Sequence, residues 1–232
     1  MKKVLVTGGS KGIGLRIVER LLDRGCDVMV VARDEQSVPE GISTRIKFIK
    51  FDLSDTNDIE DLVKRTGSID VLINNAGLLN SLPYDQYDPA MRDRLIKVNM
   101  IAPVELITQY SKLMTENGGG RVINMSSIAG VIGQSDVWYA ISKAAMINLT
   151  KSFAKLIGSS GIVVNALAPG PVATEMFSLI PPDRQKKVLD RTISGRPASI
   201  DDIARTVEWL SLDAPEHING TCIDMTNGAT LR

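Results

Sequence analysis

Short apolar runs alternate along this chain with longer stretches whose apolar residues recur at helical spacing. Residues 4–7 form a four-residue run that stops at Gly8 and Gly9, as expected of a strand buried on both faces. Residues 13–22 follow with apolar side chains at 13, 17, 18, 21 and 22, a helical repeat that Gly25 ends. Further apolar runs at 28–32, 46–51, 71–73, 122–125, 162–166 and 221–225 predict six more strands. Helical spacing predicts helices at 54–66, capped by Ser54 or Asp55, and at 89–114, 136–157 and 200–210. Pro103 ends or kinks the long 89–114 stretch if it lies inside it. Segment 174–199 is polar and rich in proline and basic residues, which predicts a loop or short helices covering a site.

Short apolar strands separated by helices imply right-handed crossovers and a parallel sheet covered on both faces. The expected architecture is therefore a doubly wound, Rossmann-like α/β fold. At 232 residues, with no internal repeat, low-complexity tract or linker, residues 1–232 read as one domain.

Composition narrows the function. Lys plus Arg (27) equals Asp plus Glu (27), and aromatic residues make up 4%. Neither favours a nucleic-acid partner or an anionic membrane. No apolar run reaches the ~18 residues of a membrane helix. The two cysteines, Cys26 and Cys222, lie far apart, and His217 is the one histidine. That leaves no metal site to expect and suits a reducing cytoplasm.

Between the first strand and helix lies Thr7-Gly8-Gly9-Ser10-Lys11-Gly12-Ile13-Gly14. Glycines let the backbone turn tightly and a phosphate come close, and a helix N-terminus offers that phosphate free N–H groups. The spacing is GxxxGxG rather than GxGxxG, so position between strand and helix carries the phosphate-binding reading.

Together with this turn, the sequence carries Asn74-Asn75-Ala76-Gly77, Val98-Asn99, Ser126-Ser127-Ile128-Ala129-Gly130, Tyr139-x-x-x-Lys143, and Pro169-Gly170 followed by Thr174. In this order the motifs resemble the short-chain dehydrogenases/reductases across essentially the whole chain, most closely the 3-oxoacyl-thioester reductases. The resemblance implies one seven-stranded parallel sheet in the order 3-2-1-4-5-6-7. It also implies a catalytic set of Asn99, Ser127, Tyr139 and Lys143. Tyr139 and Lys143, four residues apart, share a helix face, and an ammonium beside a phenol lowers its pKa from about 10. Ser127 stands three residues before the turn glycine, but only Ser126 has the expected 13-residue spacing to Tyr139; Ser126 remains the alternative. In the family the asparagine main chain, here that of Asn99, binds a relay water, while the lysine, here Lys143, also holds the nicotinamide ribose.

The same resemblance implies cofactor contacts from Gly8, Ser10, Lys11, Gly12, Ile13 and Gly14. Asp52 and Leu53 would meet the adenine, and Asn75, Ala76 and Gly77 its ribose. Pro169, Gly170, Val172 and Thr174 would shape the nicotinamide pocket. Asp52 is open to a second reading as a helix cap. NADP(H) is expected in preference to NAD(H), because Ala32 stands where an acid would face the ribose diol and Arg33 and Lys11 suit a 2′-phosphate. A one-residue misalignment would instead make Asp34 an NAD-type acid. The substrate is expected to be a small carbonyl or alcohol near Trp138, Met176, Phe177 and Leu179, with sugar or polyol dehydrogenation as an alternative. An NADP(H)-sensing protein without turnover is the non-enzyme alternative. Family members of this length lead us to expect a homotetramer, with helices 89–114 and 136–157 in contact.

Overall fold

The computed structural model describes residues 1–82, 84–178 and 182–230, without the side chains of Met176 and Arg184. Leu179 and Pro181 of the expected covering segment lie outside these residues, as do Leu231 and Arg232.

The elements run β1 (Lys3–Thr7), α1 (Gly12–Asp23), β2 (Asp27–Ala32), α2 (Glu40–Ser43), β3 (Lys47–Lys50), α3 (Ile59–Thr66), β4 (Val71–Asn74) and α4 (Pro89–Ile96). They continue as α5 (Ala102–Glu116), β5 (Gly120–Met125), α6 (Ala129–Ile132), α7 (Val137–Ile157), β6 (Ile162–Pro169), α8 (Glu175–Ser178), α9 (Pro182–Leu189), α10 (Ile200–Leu212) and β7 (Cys222–Met225). The seven strands form one parallel sheet in the order β3-β2-β1-β4-β5-β6-β7, the order that the family resemblance implies.

Alternation along the strands divides the core. Leu5, Met29, Val31 and Leu72 face α3, α5 and α7 on one side. Val4, Val6, Val28, Val30 and Ile73 face α1 and α10 on the other. Apolar side chains on both faces explain why these strands read as continuous apolar runs rather than alternating ones. Arg20 of α1 and Arg24 at its C-terminal cap close over Glu208 of α10 at 2.6 and 2.7 Å.

Two expectations need correction. Helix α3 begins at Ile59, not Ser54, because Asp52 accepts from the Ser54 N–H at 2.9 Å and its hydroxyl at 2.8 Å, turning the chain there. The 89–114 stretch is helical throughout but not regular. A π-turn at Lys97–Ile101 joins α4 to α5, and Pro103 sits in the first turn of α5. Proline brings no N–H for the Asn99 carbonyl four residues earlier, so the wider turn falls where α-helical bonding would fail.

Parallel strands place all their carboxyl ends at one edge, where a doubly wound sheet binds ligands. The covering segment returns to this edge: Ala173 N–H donates to the Ala198 carbonyl and Ala198 N–H to the Pro171 carbonyl, both at 2.9 Å. These bonds zip the ends of the segment, whose described residues carry α8 and α9.

Candidate active site

A cleft of about 720 Å³ opens at the carboxyl edge. Every residue expected to contact the cofactor lines it, from Gly8, Ser10, Lys11, Gly12, Ile13 and Gly14 through Arg33, Asp52, Leu53, Asn75, Ala76 and Gly77 to Pro169, Gly170, Val172 and Thr174. Ser127, Tyr139 and Lys143 line it as well, whereas Asn99 stands behind the wall.

The glycine turn divides its labour. Gly12 has φ +56° and open space where a Cβ would stand, beside an α1 N-terminus that lacks a side-chain cap at Lys11. Free N–H groups at a helix start next to open glycine backbone suit a phosphate. Gly14 serves packing instead: a Cβ there would lie 2.1 Å from the Gly8 carbonyl and 2.5 Å from Asn75 Nδ2. Asn75 Nδ2 donates to the carbonyls of Thr7 (3.0 Å) and Gly8 (3.1 Å), so its amide is committed to the turn. These features fit a dinucleotide along the sheet edge.

At the end of β2, Arg33 and Lys11 are exposed and have no hydrogen-bond or ion-pair partner among the described residues. The Asp34 carboxylate accepts from the Gln36 N–H at 3.0 Å and so caps its own turn. Asp52 answers the cap reading in part: one carboxylate oxygen holds Ser54, and the other accepts from Arg94 at 2.5 Å.

At the inner end, the two serines separate. Ser126 is buried, and its hydroxyl donates to the Lys143 carbonyl at 2.7 Å. Both serines line the cleft, but among the described residues the Ser127 hydroxyl has no bond that ties it to the α7 backbone: its Oγ accepts from the Ala129 N–H at 3.2 Å and lies close enough to Tyr139 to lower the phenol's pKa. Lys143 is 4% exposed, and Nζ donates to the Met125 carbonyl at 2.8 Å. Burial pulls its pKa down to about 8. Its Nζ lies 5.6 Å from the centre of the Tyr139 ring. The expected lowering of the Tyr139 pKa does not occur here: burial pushes it up and outweighs the Ser127 hydrogen bond that lowers it.

Asn99 is held by its side chain. Its Oδ1 accepts from the Leu78 N–H at 2.8 Å, while Nδ2 donates to the Leu78 carbonyl at 2.9 Å and the Ser142 hydroxyl at 3.1 Å. The amide thus ties the loop after β4 to α7 and leaves the Asn99 main chain to other work.

The substrate end of the cleft carries Leu79, Ile128, Gln134, Glu175, Phe177 and Val188. Phe177 was expected there. Trp138 was too, but its ring stacks under Arg92 at 5.6 Å and does not line the cleft. Among the described residues no cluster of three or more His, Cys, Asp or Glu is placed to hold a metal, and no helix is long and apolar enough to cross a membrane.

A family model described as short chain dehydrogenase matches residues 2–185. The chain is 30% identical to a 3alpha-hydroxysteroid dehydrogenase of Mediterraneibacter gnavus and to the 3-oxoacyl-[acyl-carrier-protein] reductase FabG of Escherichia coli. Each alignment covers 98% of this chain and 96% of the relative. Among solved structures, one assigned as a betaketoacyl-ACP reductase superposes with a TM-score of 0.88 at 28% identity, covering 98% of this chain and 97% of that one. Another, assigned as an NAD(P)-dependent gluconate 5-dehydrogenase from Beutenbergia cavernae with NADP bound at low occupancy, gives 0.90 at 27% identity, covering 98% and 96%.

Proposed function

The chain belongs to the short-chain dehydrogenase family of nicotinamide-dependent oxidoreductases, and from that premise we propose that it transfers a hydride between NADP(H) and a carbonyl/secondary-alcohol pair. The observation that carries this reading is the meeting of Tyr139, Ser127 and Lys143 at the inner end of a cleft whose outer end holds an uncapped helix N-terminus.

When bound, the nicotinamide supplies or accepts the hydride. The α1 N–H groups and Gly12 hold the pyrophosphate, and Arg33 and Lys11 hold the 2′-phosphate. Lys143 bonds the nicotinamide ribose with the donors not used by Met125. The Ser127 hydroxyl orients the substrate oxygen. In reduction Tyr139 donates its phenolic proton to that oxygen, and its raised pKa keeps it protonated at neutral pH. The Asn99 carbonyl, which Pro103 leaves without its α-helical donor, holds a water behind Lys143 that returns the proton.

The substrate end favours a compact carbonyl compound with an apolar body, a 3-oxoacyl thioester among them. Gln134 and Glu175 add hydrogen-bonding groups that support a second reading, sugar or polyol oxidation. An NADP(H) sensor has no need for the intact Tyr139–Lys143 pair. We also propose a cytoplasmic homotetramer, with exposed Val137 and Ile141 of α7 in a helix contact. An NADPH-oxidation screen over 3-oxoacyl thioesters, simple ketones and ketosugars tests the activity. Turnover of at least one class is expected, and none across the panel, with NADPH bound, would leave the sensor reading in its place.

A further inference from the structure

Besides the Asn99 amide, the helix bearing Tyr139 and the loop after β4 meet at a buried carboxylate. Asp136 is 2% exposed and precedes α7. Its Oδ1 accepts from the Tyr139 N–H at 3.0 Å, capping the helix at the residue that carries the proposed acid. The same oxygen accepts from the Tyr87 hydroxyl at 2.5 Å. Its Oδ2 accepts from the Ser81 N–H at 3.0 Å. Ser81 is one of two described non-glycine residues at positive φ, here 55°, a conformation that persists where surrounding contacts fix it. Burial and the adjacent carboxylate push the Tyr87 phenol up, so it remains a donor. Between the Asn99 anchor at Leu78 and these two bonds, the loop carries Leu79 into the substrate end of the cleft.

We infer that Asp136 is a positioning residue, one carboxylate that seats Tyr139 from its backbone and fixes the Leu79 loop as the wall facing the substrate. It touches no reacting atom. The inference rests on the reading of Tyr139 as the acid only for its effect on kcat; the seating of the loop stands apart from that reading.

The substitutions separate the two roles. Tyr87→Phe leaves the helix cap and releases the loop, so KM for the carbonyl substrate rises while kcat and KM for NADPH stay within twofold. A hydrogen bond to a charged group is worth about 10- to 150-fold, which bounds the expected rise from above and puts it at about tenfold or more. Asp136→Ala removes cap and loop anchor together, so kcat falls about tenfold as well. Asp136→Asn keeps one oxygen for Tyr139 and Tyr87 but turns an N–H toward Ser81, and so restores most of the kcat lost in the alanine variant. Hydrogen exchange followed by mass spectrometry reports the loop without reference to turnover: amides 78–88 lose protection in Tyr87→Phe. Should Asp136→Ala fail to fold, Tyr87→Phe decides the loop assignment and Asp136→Leu takes the alanine variant's place in deciding the seating of Tyr139, since it too removes both carboxylate oxygens while filling the buried space. Unchanged substrate KM and unchanged protection of 78–88 in Tyr87→Phe overturn the loop assignment, and an asparagine variant no better than alanine overturns the seating of Tyr139. If Tyr139→Phe retains turnover while the Tyr87→Phe effects appear, the acid assignment fails and the loop assignment survives.

Discussion

Replacing Arg33 by alanine removes one of two exposed cations at the outer end of the cleft. Arg33 has no protein partner among the described residues, so the substitution breaks nothing within the fold, and its cost falls on whatever anion the guanidinium meets. A charge-assisted hydrogen bond is worth about 1.5–3 kcal/mol. Exposure and salt screening move the figure toward the low end, about 1–2 kcal/mol, a rise of about 5- to 30-fold in KM for NADPH. KM for NADH stays within twofold, since a ribose diol offers no charge to lose. Initial rates with each cofactor at low and at high salt are the assay. Raising salt erodes the wild-type preference for NADPH and changes the variant less. A wild type that prefers NADH, or a variant that loses both cofactors equally, would refute the reasoning. In that case Asp34 would have left its cap on Gln36 to read the ribose.

Ser127→Ala lowers kcat by at least tenfold, while Ser126→Ala, whose hydroxyl serves the Lys143 carbonyl, retains turnover and loses thermal stability; parallel kinetics and melting curves distinguish them. Lys143→Met abolishes activity yet stabilises the ligand-free fold at pH 7. The lysine, ordinarily near 10.4, is held at about 8 by burial, so the folded chain binds fewer protons between these values and stability rises with pH across them. Below pH 8 the penalty is fully present, about 3 kcal/mol; urea titrations should show the methionine variant ahead at pH 7 and its lead gone above pH ~10. Light scattering after gel filtration is expected to give about four times the 25.2 kDa monomer mass, and a monomer at micromolar concentration contradicts the proposed assembly.

The central strands were legible because β1, β2, β4 and β6 are apolar and buried on both faces, whereas the edge strands β3 and β7, partly exposed and interrupted by Lys47, Lys50 and Asp224, were marked only by shorter and less regular runs. The cleft was legible because its backbone features, such as open Gly12 and the Tyr139–Lys143 spacing, are local. What escaped depends on distant pairs. Asp136 bonds Tyr87 from 49 residues away, and Ser142 reaches Asn99 across 43; neither pairing leaves a periodic trace. The choice between Ser126 and Ser127 was likewise closed to counting, since it depends on which hydroxyl the turn into α6 aims at the cleft. Pro103 was seen as a disruption, but whether it would end the helix or widen one turn depends on the packing that holds α4 and α5 in line. The direction of the Tyr139 shift escaped because spacing shows a lysine four residues on but not the burial, nor the Asp136 carboxylate, that push the phenol up.

The central claim is that Tyr139 gives and takes the proton while other residues hold the cofactor. Its most direct test is Tyr139→Phe, with NADPH affinity by fluorescence titration and turnover of the best carbonyl substrate measured on one preparation. General acid catalysis is worth about 10²–10⁴ in rate, so turnover should fall by that factor while NADPH affinity stays within twofold. Undiminished turnover in the phenylalanine variant would contradict the account.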